Sequence, residues 1–156
     1  MKLLVFHIGP DRYGLPLRQI RRVLPLMELK RVPLAPRAVA GLMNLHGQPV
    51  PVIDLARLAG YDASAGHFDT RIVLADYPLP GGAVRALGLL AERVLGVQEI
   101  NPGDLSDPGV RAAPFLGQVS GRAPEGSTGT GMVQLVLLER LLPAEVRDAL
   151  FPEVAA

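Results

Sequence analysis

Three histidines, His7, His46 and His67, are the residues best suited to acid–base chemistry or metal binding in this 156-residue chain, which has no cysteine. Zinc-binding histidines usually occur in close pairs such as H-E-x-x-H, and no pair here has that spacing. The absence of cysteine excludes disulfides, thiolate catalysis, iron–sulfur clusters and cysteine-bound zinc. His7 lies inside an apolar run, where a histidine is more often structural than catalytic.

Other signals of catalysis are also missing. The four serines fall in predicted loops, and none stands in a G-x-S-x-G elbow: Ser64, Ser106, Ser120 and Ser127. Neither lysine follows a glycine run, as a phosphate-binding loop would require. The acidic residues are dispersed. The sequence therefore predicts a protein that is not an enzyme and that uses no metal or cofactor.

The charge of the chain is strongly asymmetric. Residues 1–40 hold eight basic and two acidic side chains, whereas the remainder holds eight basic and thirteen acidic ones. A basic region of this kind is either an ordinary solvated surface or a docking face for an acidic partner.

The elements that must position these residues are mostly short strands. Glycine and proline total 32 of 156 residues, which favours strands joined by tight turns. A hairpin is predicted over 3–17, helical spacing over 17–24 and a helical turn over 37–40. A strand, a turn at His46-Gly47 and a second strand follow over 41–55. Asp54 is then expected to cap a short helix over 55–58 that ends at Gly60.

The second half repeats this theme after a polar connector at 60–69. Strands are predicted at 71–75, 84–90, 115–119 and 132–138, with a short helix and strand within 92–100. Residues 121–131 are of low complexity, and an amphipathic helix is predicted after Pro143. We expect one domain over 1–156 with approximate halves 1–60 and 70–152, between which terminal strands may cross.

The stretch from Gly41 to Leu55 resembles the CheW-like family of chemotaxis coupling proteins. The family pattern is roughly G-x-x-N-L-R-G-x-x-x-P-V-I-D-L, and this chain matches it at Gly41, Asn44, Leu45, Gly47, Pro51, Val52, Ile53, Asp54 and Leu55. Weaker similarities precede and follow it, from the first hairpin to the segment 135–142. The resemblance therefore spans nearly the whole chain.

The resemblance implies a mainly β fold of two small five-stranded β-barrels that share a hydrophobic core, with short helices and a C-terminal helix. It also implies a non-catalytic adaptor of bacterial two-component signalling. Such adaptors link the cytoplasmic tip of methyl-accepting chemoreceptors to a CheA-type histidine kinase, whose regulatory domain has a similar fold.

The resemblance places much of the receptor-facing surface near 17–24 and 39–47. The expected receptor- or kinase-binding residues are Leu17, Ile20, Arg22, Val39, Asn44, His46, Gly47 and Val97, and the expected structural residues are Gly41, Pro51 and Asp54. Asn44 and Gly47 are also typical turn residues, and Asp54 is a typical helix cap.

Four residues depart from the family pattern. His46 stands where arginine is usual, Arg22 where glutamate is usual, and Ala91-Glu92 where Val-Asp is usual. Since Arg22 reverses a charge, we expect a dedicated partner set in a non-standard chemosensory pathway.

Two further expectations concern location and an alternative function. No segment resembles a signal peptide or a membrane span, so we expect a cytoplasmic protein that reaches the inner membrane only through receptor arrays. The alternative is a small β-barrel that binds a ligand or nucleic acid. The seven aromatic residues are not interleaved with arginines, so binding to nucleic acid is not expected.

Overall fold

The structure, a computed structural model, describes residues 1–63, 69–121 and 130–154. The predictions on His67, Ser64, Ser127 and most of the 121–131 segment lie outside these residues.

The described chain forms ten strands and two α-helices. The strands are β1 (Lys2–Ile8), β2 (Asp11–Pro16), β3 (Ile20–Pro25), β4 (Val39–Leu45), β5 (Gln48–Asp54), β6 (Arg71–Pro78), β7 (Val84–Glu99), β8 (Leu105–Ser106), β9 (Leu116–Ser120) and β10 (Val133–Val136). The helices are α1 (Leu55–Leu58) and α2 (Ala144–Leu150). Short 3₁₀ turns lie at Leu17–Gln19, Pro102–Asp104, Leu138–Arg140 and Pro152–Val154.

The long strand β7 belongs to two subdomains at once. Its residues 84–91 pair with β6 and, in part, with β5, whereas its residues from Glu92 onward pair with β1. The first subdomain therefore contains β3, β6, the start of β7, β5 and β4. The second contains the end of β7, then β1, β2, β10, β9 and β8 in that order. Strands β1 and β2 thus pair with strands from the C-terminal half.

Strands β1 and β6 bury both faces, and this explains their nearly continuous apolar sequences. In β1, Leu3 and Val5 face the interior of the second subdomain, whereas Leu4, Phe6 and Ile8 face a core shared by both subdomains. Strand β6 alternates in the same way: Ile72 and Leu74 face the interior of the first subdomain, and Val73, Ala75 and Tyr77 face the shared core. The mainly β fold with two small β subdomains and a shared core is confirmed, although hydrogen bonds between the described strands leave the sheet open.

Several local predictions are also confirmed. The first hairpin pairs Leu3 with Pro16 through to Ile8 with Asp11. The second hairpin pairs Leu45 with Gln48 across the predicted turn. The amide of Ala56 donates to the Asp54 carboxylate over 3.0 Å, so Asp54 does cap α1. The predicted C-terminal helix is α2, whose buried residue is Val146.

The predicted helical spacing over 17–24 is wrong. Only Leu17–Gln19 form a 3₁₀ turn, and Ile20–Pro25 are a strand that pairs with β6. Between Ile20 and Arg22 the register shifts by one residue, so Arg21 is an extra residue in β3. This bulge interrupts the strand alternation and produces an apolar spacing that imitates a helix.

Two other helical predictions are wrong for similar reasons. At 37–40, the amide of Val39 donates to the Pro36 carbonyl over 2.9 Å, but strand β4 begins at Val39 itself. At 92–100, β7 continues as a strand to Glu99. Between the residues that pair with Val5 and His7, β7 contains two more residues than β1 does. Arg93 lies in this bulge and has a φ angle of +45°. That irregularity hides the period of two that marks a strand.

Candidate interaction surfaces

The turn between β4 and β5 exposes His46 through its backbone geometry. The φ angles of His46 and Gly47 are +51° and +86°, as in a two-residue type I′ hairpin turn. The Asn44 side-chain oxygen accepts a hydrogen bond from the Gly47 amide over 2.8 Å. Asn44 and Gly47 therefore shape the turn, and His46 is left with its ring exposed to solvent.

Arg22 lies exposed on β3, next to the bulge. Its neighbour Arg21 is paired with Asp76 of β6, whereas the side chain of Arg22 has no ion pair or hydrogen bond within the described part of the chain. Strand β3 pairs with β6, and β4 pairs with β5, so Arg22 and the His46 turn belong to different strand pairs.

Leu17 and Ile20 lie where the chain crosses from the second subdomain to the first. The 3₁₀ turn Leu17–Gln19 joins β2 to β3, and its first residue is partly exposed. Ile20 packs against the shared core. These two residues therefore lie at the junction of the subdomains, not inside either one.

Val97 is 53% exposed on the second part of β7. Leu95, which the sequence did not single out, is 47% exposed on the same strand. From Glu92 onward β7 pairs only with β1 among the described strands, so this segment is an edge of the second subdomain. Two exposed apolar side chains on one edge strand form a surface suited to contact with another protein.

A groove of about 410 Å³ lies on the first subdomain, and every residue that lines it is apolar. One wall is the loop 32–36, and the opposite wall is the end of α2, with Ala149 and Leu150. Its floor comes from the β4–β5 hairpin: Val39, Leu42, Pro49 and Pro51. Val39 and Pro51, which the sequence singled out for different reasons, therefore share one groove. Since Val39 is only 8% exposed, its side chain supports the floor more than it presents a contact surface.

Gly41 and Asp54 hold this subdomain together. At Gly41 the φ angle is +151°, and a Cβ atom would lie 2.5 Å from the Lys30 carbonyl oxygen. That close approach permits the bridge in which Lys30 and Leu42 exchange backbone hydrogen bonds of 2.8 and 2.9 Å. Asp54 is buried, caps α1 and lies 3.7 Å from the Arg57 guanidinium.

His7 is buried in β1. Its Nδ1 atom lies 3.5 Å from the Arg93 carbonyl oxygen. Burial lowers the pKa of His7 below its ordinary value, and the nearby charges of Arg93 and Arg12 lower it further, against opposing effects from the backbone contact and Asp69. Within the described residues, no three of the side chains that could hold a metal ion are grouped together.

The described helices are also too short or too polar to cross a membrane.

The fold and its exposed surfaces define a class of protein: a two-subdomain β scaffold with several apolar surfaces open to solvent.

Comparison with known proteins identifies the family. Residues 2–145 match the model of the CheW-like domain, so the chain belongs to the CheW-like family. Its family and its curated relatives support the role of a chemotaxis coupling scaffold protein, and the alternative of a ligand- or nucleic-acid-binding barrel is not favoured.

Named relatives agree with this. The chain is 25% identical over 148 residues to the chemotaxis protein CheW of Rhizobium meliloti, covering 95% of this chain and 91% of that protein. It is 23% identical over 108 residues to the protein of the same name from Treponema pallidum, covering 69% of this chain and 62% of that protein. The crystal structure of the scaffolding protein TtCheW from Thermoanaerobacter tengcongensis shares the fold, with a TM-score of 0.75, 24% identity and coverage of 93% and 89% of the two chains.

Sequence reasoning missed both walls of the apolar groove. The signal was present in the segment Val32-Pro33-Leu34-Ala35-Pro36, where an apolar loop between prolines fits neither a strand nor a helix. The contribution of α2 had no comparable signal, because it depends on where the C-terminal helix returns to the first subdomain.

Proposed function

We propose that this chain is a non-catalytic cytoplasmic adaptor, formed by a single CheW-like domain, that holds a chemoreceptor tip and a CheA-type histidine kinase side by side. The observation that carries the proposal is the groove lined only by apolar residue types, which lies apart from the exposed apolar residues Leu95 and Val97 on β7. An adaptor needs two such surfaces and no reactive group.

The receptor surface in this proposal combines the junction of the subdomains with the hairpin turn. Leu17, Ile20 and Val97 would supply the apolar part of the contact, and Arg22 and His46 would supply its polar part. This arrangement fits the general anatomy of protein interfaces, with an apolar centre and a polar rim. A helical receptor tip could then dock as an amphipathic helix docks on an apolar surface.

The groove is the surface that we assign to the kinase. Its walls, the loop 32–36 and the end of α2, lie outside the two segments that the family resemblance assigns to the receptor, whereas Val39 and Leu42 of its floor lie inside the second of those segments. The family resemblance also implies that the regulatory domain of the kinase has a similar fold, so the contact would join one β subdomain to another.

A matched pair of substitutions on α2 tests this assignment. Ala149 is exposed and lines the groove, so Ala149→Arg would place a long charged side chain in it. Ala144, also exposed on α2, does not line the groove, so Ala144→Arg is the control. Arginine is a good helix former at both positions, so α2 should remain folded.

Binding is measured by calorimetry with the full-length kinase and with a receptor cytoplasmic fragment from the same cell. We expect Ala149→Arg to lose the kinase and keep the receptor, and Ala144→Arg to keep both. Unchanged kinase affinity for Ala149→Arg would refute the assignment of the groove. If the unmodified chain bound neither partner, the adaptor function itself would be refuted.

A further inference from the structure

Leu34 is fully exposed to solvent, and its φ angle of +63° lies in the left-handed region that favours glycine. It forms a turn with Pro33, in which the Ala35 amide donates to the Val32 carbonyl over 3.3 Å. Proline in the second position and a positive φ in the third are the features of a type II turn, which prefers glycine or asparagine where Leu34 stands.

Leucine is therefore an unfavourable choice for this turn in the isolated chain. A β-carbon in the left-handed region costs conformational energy, and a fully exposed side chain recovers nothing from packing. The turn nevertheless places that side chain on the wall of the apolar groove. A contact with another molecule would give this leucine a packing energy that the isolated chain does not supply.

The charges beside the groove indicate what that molecule carries. Lys30, Arg31 and Arg37 flank the loop on its two sides, and none of them forms an ion pair within the described part of the chain. Lys30 donates to the Arg31 carbonyl, and Arg37 donates to the carbonyls of Arg57 and Tyr61, so none of these bonds involves a carboxylate. The segment 28–37 holds one acidic side chain, the exposed Glu28, against these three basic ones.

The opposite wall offers at most one negative charge against these positive ones. On α2, Arg147 and Asp148 lie 3.5 Å apart and neutralise each other, which leaves Glu145 as the one charge of that helix without an opposite neighbour. The excess positive charge is thus concentrated on the side of the groove that carries Leu34.

We infer that the partner surface that docks in this groove is acidic around an apolar centre, and that Leu34 is the anchor that enters that centre. This inference rests on the proposed function, because it names the chemistry of the kinase surface that the groove would bind. An apolar centre with a polar or charged rim is the general anatomy of a protein interface, and Leu34 with its basic neighbours fits that arrangement.

Substitution of Leu34 by glycine tests the contribution of this side chain to kinase binding without lowering the stability of the fold. Because glycine adopts a positive φ without strain, Leu34→Gly should melt at the same or a higher temperature than the unmodified chain. The same variant should bind the full-length kinase about tenfold more weakly or worse, as hot-spot truncations do. Leu34→Asn, which also tolerates this conformation, should behave in the same way. Val84→Ala, which removes part of an exposed apolar side chain elsewhere, is the control and should bind normally.

Charge reversal tests the acidic part of the inference. Arg31→Glu should weaken kinase binding several-fold at low salt and reduce its dependence on salt, whereas Arg18→Glu, the same change in the same basic region, should do neither. Receptor binding should be unaffected by Leu34→Gly and Arg31→Glu.

The two proposals fail in distinguishable ways. If the unmodified chain binds the kinase but Leu34→Gly and Leu34→Asn bind equally well, the anchor is refuted and the adaptor function stands. If Arg31→Glu binds as well as Arg18→Glu, the acidic character of the partner is refuted. If the unmodified chain binds no kinase, both this inference and the assignment of the groove are refuted.

Discussion

Single side chains set the partner preference that we propose for this scaffold. His46 and Arg22 are both exposed, and both differ from the family pattern that the sequence resemblance implies. His46 is held outward by the hairpin turn, so its replacement should change the surface without disturbing the backbone. A receptor matched to the usual arginine and glutamate would meet the wrong charge at Arg22 and a shorter side chain at His46.

The first prediction follows from these two positions. The double substitution His46→Arg with Arg22→Glu should strengthen binding to a typical receptor tip, because it restores both charges of the family pattern. The affinity for a receptor tip from a standard chemotaxis pathway is measured before and after the change. Equal or weaker binding by the double variant would contradict the idea of a dedicated partner set.

A second prediction at this scale concerns His7. Burial lowers the pKa of His7 in the folded state below the value of about 6.5 expected when the chain is unfolded. The unfolded chain therefore takes up the proton first as the pH falls. The contribution of His7 to stability is complete above pH 6.5 and is lost as the pH falls through the lower pKa of the folded state.

Urea unfolding at about pH 7.5 and about pH 5.5 measures this effect. The unmodified chain should lose stability at the lower pH, and His7→Gln should lose less. His46→Gln, which changes an exposed histidine, is the control and should behave like the unmodified chain. An identical pH dependence for His7→Gln and the unmodified chain would exclude His7 as the cause.

At the scale of elements, the β4–β5 hairpin supports both the exposed turn and the floor of the groove. Gly47 and Gly41 lie at opposite ends of β4 and its turn, and both have a positive φ. Their surroundings differ, because nothing lies within 4 Å of a Cβ atom built at Gly47, whereas one at Gly41 would overlap the Lys30 carbonyl.

Alanine substitutions at these glycines should therefore have unequal costs. Gly47→Ala should cost about 1–2 kcal/mol, the conformational cost of a left-handed residue that has a β-carbon. Gly41→Ala should cost more, because it must also displace the Lys30 bridge. The free energies of unfolding in urea give the comparison, and a smaller cost at Gly41 than at Gly47 would show that the bridge contributes little.

At the scale of the molecule, the shared core joins the two subdomains into one folding unit. It takes residues from β1 and β2, from β5 to β7, and from the C-terminal segment after β10. Tyr77 of the first subdomain stacks on Phe151, with ring centroids 5.8 Å apart and planes inclined by 13°. The C-terminal segment therefore packs against residues of both subdomains in the shared core.

This arrangement predicts that the chain unfolds in a single cooperative transition. A substitution in the shared core should therefore lower the stability of both subdomains together. Phe151→Ala should reduce stability by about 3–5 kcal/mol, as expected for loss of a buried aromatic side chain. Calorimetry should still show one transition, at a lower temperature. Two separated transitions, with only one displaced, would mean that the subdomains unfold independently.

Local chemistry was sufficient where the deciding interactions lie close together in the sequence. Asn44, His46 and Gly47 indicate their own turn, and Asp54 indicates its own cap, because each of these hydrogen bonds joins residues at most three positions apart. The family pattern rests largely on these same residues, which is why the fold could be inferred from it.

Only the tertiary structure decided the path of β3 and β7 and the formation of the groove. Bulges in both strands interrupt the apolar period, and they are stable because the neighbouring strands β6 and β1 pair on either side of them. The groove brings together residues 32–36 and Leu150, which are more than a hundred positions apart. No local sequence pattern predicts this long-range contact, because it depends on how the C-terminal helix packs against a core formed by residues from the whole chain.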